Sequence, residues 1–255
     1  MGLESVRRQK KILDLLRQNS QITVSKLARD FAVSEVTIRR DMSSLAKAGK
    51  ILRTYGGAAS SEKVAYEFSF KEKLNKNIKE KEKIGNLTAS LVKEGEVILM
   101  DSGTTTFQVA HSLSAKKNIT VITNSLPVVS TLSGNPDIKI ILLGGELQPE
   151  GFYLFGPIAE KELSKIYVDK SFIGTDGIDL EKGFYTTDFK LANLAGLMMK
   201  AAKKIIIVAD HTKFNRKSFV LFGKLRQADI IVTDKNIDKK ILRNLEKRRL
   251  KVLVT

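Results

Sequence analysis

The sequence predicts a mixed α/β chain: a small, basic, mostly helical unit with a strand-like tip, then a larger layered unit built on a mostly parallel sheet. Three observations predict it. Apolar residues recur at helical spacing through residues 6–47, and a basic strand-like segment closed by paired glycines follows at 50–57. From residue 97 onward, short and nearly continuous apolar runs alternate with helical stretches. Continuous runs suit parallel strands covered on both faces, whereas alternation is expected where one face meets water. A length of 255 residues accommodates one small and one medium core. The boundaries read from these patterns are 1–58 for the first unit, 59–78 for a linker and 79–255 for the second unit.

Taken in order, the first helix carries Val6, Ile12, Leu13 and Leu16 on one face. Thr23 can cap a second helix, with Val24, Leu27, Ala28 and Phe31 inward. Only Ala32 and Val33 separate it from Ser34, a natural N-cap for a third helix. So short a connection makes the two helices cross steeply, as in a helix-turn-helix pair. In the third helix Ile38, Met42 and Leu45 form one apolar stripe. A step of ~100° per residue puts Val36, Thr37, Arg40, Ser43, Ser44 and Lys47 on the opposite face, with Arg39 on a flank. An arginine there can pair bidentately with guanine in a major groove, and an apolar side chain can meet a thymine methyl. A plain solvated helix is the alternative reading of the same face. After Gly49, the segment Lys50–Tyr55 reads as a strand and Gly56-Gly57 as its turn. It suits a small wing with Lys50 and Arg53 toward phosphates. The first unit therefore reads as a winged helix-turn-helix.

Charge supports that reading by its distribution. The formal net charge is +16, and residues 1–60 hold twelve Lys or Arg against five Asp or Glu. Residues 95–255 carry the same excess, 24 against 17, over a far longer stretch. Positive charge is thus densest where the reading helix lies, which supplies a salt-dependent attraction to nucleic-acid phosphates. The sequence has no cysteine, so disulfides and thiolate metal sites are excluded. Its two histidines, His111 and His211, lie far apart, and no metal or cofactor is expected. No apolar run approaches the ~20 residues of a membrane helix. Charges recurring from Glu4 to Lys11 do not resemble a secretion signal, and a cytoplasmic location is the expectation.

In the second unit the apolar runs at 97–100, 119–123, 138–143, 170–174, 204–209, 229–233 and 251–255 read as strands. Stretches 78–92, 105–114, 157–166 and 190–203 read as helices. The expected architecture is Rossmann-like. Directly after the first strand comes Asp101-Ser102-Gly103-Thr104-Thr105-Thr106. A helix N-terminus there offers free N–H donors and partial positive charge, Gly103 lets the backbone approach closely, and the hydroxyls add donors. That is a phosphate cradle, or equally a capped turn. Further polar residues follow the other strands: Asn124 and Ser125, Gly144 and Gly145, Thr175, Asp176, Gly177 and Asp179, then Asp210 and Lys213. Each alone is an ordinary turn or cap residue. Their shared position at strand ends, where open α/β sheets bind ligands, favours one pocket.

Two sets of residues carry a family resemblance. Val33, Ser34, Thr37 to Asp41, Leu45, Gly49, Arg53, Gly56, Gly57 and Ala58 form the pattern VS-x-x-TIRRD-x-x-x-L-x-x-x-G with R-x-x-GG-A. The second unit adds D-SGTT, TN-S, LGG, G-x-x-G-I-D and D-x-x-KF. Together they resemble the DeoR family of bacterial sugar-metabolism regulators over nearly the whole chain. Tyr55 stands where that family usually has histidine. The resemblance implies a second unit similar to ribose-5-phosphate isomerase and glucosamine-6-phosphate deaminase, binding a phosphorylated sugar. It implies phosphate on Ser102 to Thr106, with Asp101, Asp176 and Lys213 toward the sugar or phosphate. One departure stands out: Leu191 and Ala195 occupy positions where the family often has an acid and a base.

The reading adopted is a sequence-specific, non-enzymatic DNA-binding regulator, a repressor of carbohydrate genes by that resemblance, switched by a sugar phosphate. Its expected partners are a double-stranded operator and a second copy or copies of itself, as homodimer or homotetramer. A sugar-phosphate isomerase or deaminase carrying a DNA-binding module is the alternative. Asp176, Asp179 and Lys213 are the residue types such chemistry would need. An architectural DNA-binding protein without a ligand is a third reading.

Overall fold

A computed structural model describes residues 3–18, 21–47, 51–54, 57–59, 70–149 and 151–255. The chain divides into two compact units, 1–66 and 67–255.

The first unit runs α1 (Leu3–Gln18), β1 (Gln21–Thr23), α2 (Val24–Asp30), α3 (Glu35–Lys47), β2 (Leu52–Thr54) and β3 (Gly57–Ala59). Ile12, Val24, Leu27, Ile38, Met42 and Leu45 meet in one core, joined by Ile51, with Leu13, Ala28 and Phe31 packed against it. Val6, read on the same face of α1, is instead 54 % exposed, and the side chain of Leu16 lies outside the described residues. β3 pairs antiparallel with both β2 and β1, so the hairpin is tied back to the strand that precedes α2.

The second unit opens with α4 (Phe70–Asn75) and α5 (Ile78–Ser90). Residues 70–78, placed in the linker by sequence, are thus largely helical and belong to this unit. The alternation then proceeds through β4 (Val97–Met100), α6 (Thr104–Leu113), β5 (Ile119–Thr123), α7 (Leu126–Leu132) and β6 (Ile138–Leu142). The hairpin β7 (Glu146–Gln148) and β8 (Tyr153–Phe155) precedes α8 (Pro157–Leu163) and β9 (Val168–Gly174). Next come β10 (Gly177–Asp179), β11 (Gly183–Thr186), α9 (Phe189–Lys200), β12 (Ala202–Val208) and β13 (Val220–Gly223). The last elements are β14 (Ile230–Thr233), α10 (Lys239–Lys247) and β15 (Lys251–Val254).

Seven strands form one sheet in the order β15-β14-β12-β9-β4-β5-β6, every neighbouring pair parallel. All seven overlap the runs read as strands, with β9 and β12 each beginning two residues earlier than read. The hairpin β7–β8 and the small antiparallel sheet β10-β11-β13 were not foreseen. Growth from β4 runs one way to β5 and β6, and growth from β9 runs the other way to β12, β14 and β15. Parallel crossovers keep one hand, so reversing direction moves the connecting helices to the opposite face. Accordingly Ile84, Val109, Leu113, Val128 and Leu132 of α5, α6 and α7 pack in one core. Leu163, Met198 and Leu245 of α8, α9 and α10 pack in the other. The reversal between β4 and β9 leaves a crevice at the carboxyl ends of those strands. On one side α5 lies so close to α6 that a Cβ on Gly85 would come within 2.5 Å of the Gln108 carbonyl oxygen.

Candidate functional site

In the first unit the turn between α2 and α3 is built from backbone alone. Val33 N donates to Ala28 O at 3.0 Å and Ala32 N to Arg29 O at 3.2 Å, with Ala32 at φ 51°. This is a Schellman closure, which stops α2 abruptly and redirects the chain. Ser34 then caps α3, accepting from Thr37 N at 3.2 Å, and its hydroxyl lies 2.9 Å from that of Thr37. Thr37 is therefore engaged with the cap.

Ile38, Met42 and Leu45 are at most 3 % exposed, which turns the opposite face of α3 outward. Val36 is 74 % exposed, and Arg39 and Arg40 are exposed too. Arg39 Nη2 reaches back to Glu35 at 3.2 Å, whereas Ser43 and Ser44 are half-buried at the margins of the face. The side chains of Lys47 and Arg53, and all of Lys50, lie outside the described residues.

Sequence reasoning gave Asp41 no role, and the structure supplies one. It is buried on the inner side of α3 and accepts from Arg8 Nε at 2.5 Å, Ser5 Oγ at 2.8 Å and Gln9 Nε2 at 3.2 Å. Burial pushes its carboxyl up, but the hydrogen bonds from Arg8, Ser5 and Gln9 outweigh that and hold it below its ordinary value. Asp41 thereby ties α1 to the back of α3 and fixes how the outer face is presented.

In the second unit the strand-to-helix turn over residues 101–103 forms where sequence placed it. α6 begins at Thr104, and its N-cap, Gly103, supplies no side-chain cap. Among the described residues no cap side chain therefore accepts from the first N–H groups of this helix, which have roughly half a positive charge behind them. Ser102, Thr104 and Thr105 line the turn, each less than a tenth exposed. The Thr106 hydroxyl is corrected to an internal role: it donates to Asp101 O at 2.8 Å and Gly103 O at 2.7 Å, locking the turn. Asp101 accepts from Gly174 N at 3.1 Å, joining the ends of β4 and β9 across the crevice. Burial raises the Asp101 carboxyl above its ordinary value.

Beside it lies a charged cluster only partly visible in the sequence. Asp176 accepts from Lys73 Nζ at 2.8 Å and Thr186 Oγ1 at 3.3 Å, with Lys213 Nζ 3.9 Å away. Lys81 is buried and donates to the Lys73 carbonyl at 2.5 Å. Asp210 accepts from Asn77 Nδ2 at 3.2 Å and caps the turn that carries Lys213. Burial pushes Asp176 up, but Lys73 and then Lys213 hold it below its ordinary value. Burial lowers Lys213 against the pull of Asp176 and Asp210. Lys81 comes down to about 8, chiefly through burial, with Lys213, Lys73 and Lys76 adding like-charge repulsion and Asp210 opposing. Three lysines, Lys73, Lys81 and Lys213, thus gather with Asp101, Asp176 and Asp210 near the start of α6.

Lys73 and Lys81 were missed by sequence because they lie on α4 and α5, in stretches dense with unremarkable lysines. Phe70 seats α4 through edge-on ring contacts with Phe107 of α6 at 5.6 Å and Phe152 at 6.2 Å. The aromatic in front of the charge run was the available signal.

The other expected residues divide. Asn124 is fully buried and donates to Leu154 O at 3.0 Å, while its Oδ1 has no partner among the described residues. Ser125 is fully buried and caps α7. Gly144 sits against Ile158, where a Cβ would lie 3.3 Å from that side chain. Gly177 is a packing position, since a Cβ there would come within 2.4 Å of Arg216 O. Asp179 holds the β10–β11 turn, accepting from Glu181 N at 2.9 Å and Lys182 N at 2.8 Å, and pairs with Lys217 at 3.2 Å. Its oxygens serve that turn, which removes one carboxylate from the enzymatic alternative. Leu191 and Ala195 pack with the core on α9, so the two absent charges are replaced by apolar contact. Among the described residues no cluster of acids and histidines could hold a metal, and no helix is long and apolar enough to cross a membrane.

Comparison with known proteins agrees in both units. Residues 8–64 match the DeoR-like helix-turn-helix domain, and residues 76–235 match the DeoR C terminal sensor domain. The transcriptional repressor AccR of Agrobacterium fabrum is 34 % identical over 248 residues, 97 % of this chain and 96 % of that protein. The HTH-type transcriptional repressor GlcR of Bacillus subtilis is 35 % identical over 96 % of this chain and 94 % of its own. The glycerol-3-phosphate regulon repressor of Escherichia coli is 30 % identical over 91 % and 92 %. Among solved structures, ribose 5 phosphate isomerase A from Neisseria gonorrhoeae matches 52 % of each chain at 18 % identity and a TM-score of 0.39, a likeness too loose to carry a functional argument. With a capped reading helix in one unit and a sensor-type α/β fold in the other, this chain belongs to the DeoR family of DNA-binding transcriptional regulators.

Proposed function

We propose that this regulator is a repressor whose α/β unit binds a phosphorylated sugar or a closely related metabolite in the crevice between β4 and β9. The observation that carries the reading is the uncapped start of α6 beside Lys73, Lys81 and Lys213. A phosphate there accepts from the Thr104, Thr105 and Thr106 N–H groups and from the hydroxyls of Ser102, Thr104 and Thr105, and its charge draws on the nearby lysines. Asp101, Asp176 and the unpartnered Asn124 Oδ1 accept from sugar hydroxyls, while Gly103 and Gly177 allow close backbone packing. In the first unit Val36, Arg39 and Arg40 read base edges, Ser43 and Ser44 border them, and Lys47, Lys50 and Arg53 meet phosphates.

Coupling runs through α4. This helix follows the stretch that joins the two units, and its Lys73 is held by Asp176. A phosphate that draws Lys73 from Asp176 shifts α4 and so the linker. A coupling of ~1–3 kcal/mol changes DNA affinity by about 5- to 150-fold. Pairing of two copies about a two-fold axis sets the heads on repeated half-sites about one helical turn apart.

The test is fluorescence anisotropy of labelled DNA from upstream of the chain's own gene, with a panel of aldose and ketose phosphates. At least one phosphate shifts the affinity, and its unphosphorylated sugar does not. Equal effects of sugar and sugar phosphate overturn the cradle assignment. Turnover of any panel member above background overturns the binding-only role.

A further inference from the structure

A second concavity lies at the other end of the sheet. The crevice sits at the carboxyl ends of the strands, whereas a cavity of about 530 Å³ opens before the amino ends of β14 and β15. The strands between them span ~13 Å. The floor is Leu225 and Leu250, both buried, and the wall includes Leu221, which is 43 % exposed. Lys182 from the β10–β11 turn and Lys224 and Arg226 from the turn before β14 surround it.

The electrostatics of this cavity are unbalanced. The Arg248 guanidinium is already committed to Glu181 and, at 2.8 Å, to Asn244 Oδ1. Lys182, Lys224 and Arg226 have no acidic partner among the described residues. Three uncompensated cations around one hollow repel each other, and a counter-anion in the hollow relieves that repulsion. The apolar floor makes a poor seat for a bare inorganic anion, which would lose hydration against leucine. The volume falls within the range of small-molecule sites.

From these facts we infer that the cavity is a second ligand site, taking a small organic anion with an apolar body and a carboxylate, sulfonate or phosphate at one end. The apolar body covers Leu221, Leu225 and Leu250, and the anionic end lies among Lys182, Lys224 and Arg226. This site is separate from the crevice and gives the regulator a second chemical input.

The probe is 1-anilinonaphthalene-8-sulfonate, an aryl sulfonate, titrated into the full chain and followed by fluorescence. Binding saturates at one site per chain, octanoate displaces the probe, and glucose 6-phosphate does not. The double variant Lys224→Glu with Arg226→Glu weakens the probe about tenfold or more, as loss of charge-assisted contacts requires. Both side chains are exposed, so the thermal midpoint stays unchanged. Lys182→Glu, on an exposed turn, gives an independent loss. Non-saturable binding, unchanged affinity in both charge-reversal proteins, or full displacement by glucose 6-phosphate overturns the assignment.

Discussion

Replacing Lys81 by methionine stabilises this protein while impairing its crevice. Lys81 is 3 % exposed, and its ammonium comes down from an ordinary 10.5 to about 8, so it remains mostly protonated at pH 7. At ~1.36 kcal/mol per pH unit, holding that proton inside the ligand-free fold costs about 3 kcal/mol. Lys81→Met removes the cost and keeps the length of the side chain. It also loses the hydrogen bond to the Lys73 carbonyl, worth about 1 kcal/mol. The net gain is about 2 kcal/mol, or ~4–8 °C in the melting midpoint for a unit of this size. Phosphate binding loses one charge-assisted contact, about tenfold or more in affinity. The assay is thermal denaturation of the full chain at pH 7, with and without inorganic phosphate. A variant that melts lower than the parent, yet keeps the parent's full phosphate-induced shift, refutes the reasoning. The trade has a physical source: the cation that the anion needs is the cation that the empty fold tolerates least.

Four other outcomes are expected. Because the folded chain releases the Lys81 proton near pH 8 and the unfolded chain holds it to about 10.5, stability contributed by this group rises with pH across that window. Phosphate affinity runs the opposite way and falls above pH about 8, which isothermal titration in buffers of different ionisation enthalpy reads as proton uptake on binding. Asp41→Ala destabilises the first unit by about 2–4 kcal/mol, since it strands the half-buried Arg8. The Asp41 carboxyl sits below its ordinary 3.8, so its stabilisation is present above that pH and fades as pH falls through the folded value; an acid titration by circular dichroism that is the same in parent and variant contradicts this. Arg40→Ala weakens operator binding by ~1–3 kcal/mol and relaxes one base position, and a binding-site selection that keeps the parental preference removes Arg40 from the reading face. Thr105→Glu sets a carboxylate in the cradle, so DNA binding persists and the metabolite response disappears in the anisotropy assay.

The reading helix was legible because its determinants are local. Ile38, Met42 and Leu45 repeat every three to four residues, Ser34 caps its own helix, and both facts survive any tertiary arrangement. The parallel sheet was legible for a related reason: strands buried on both faces must be apolar throughout, so each run marks itself. The turn 101–106 announced itself by glycine and hydroxyls after a strand. Individual roles within it did not follow, because a threonine hydroxyl facing outward and one locking its own turn, as Thr106 does, are the same letter. The hairpin β7–β8 escaped notice because each of its strands is only three residues long.

By itself, then, the amino-acid order determined which segments become helix and strand, which helix face is cationic, and which turn has free amides. Those properties are set within a few residues of chain. Tertiary structure alone decided that Lys73 meets Asp176 across 103 residues of sequence, that Lys81 is buried among like charges, and that Asp41 looks inward to Arg8. A lysine on a solvated helix and a lysine in a pocket are spelled alike. The difference lies in the desolvation and Coulomb energy that appear only when distant elements fold over the same crevice.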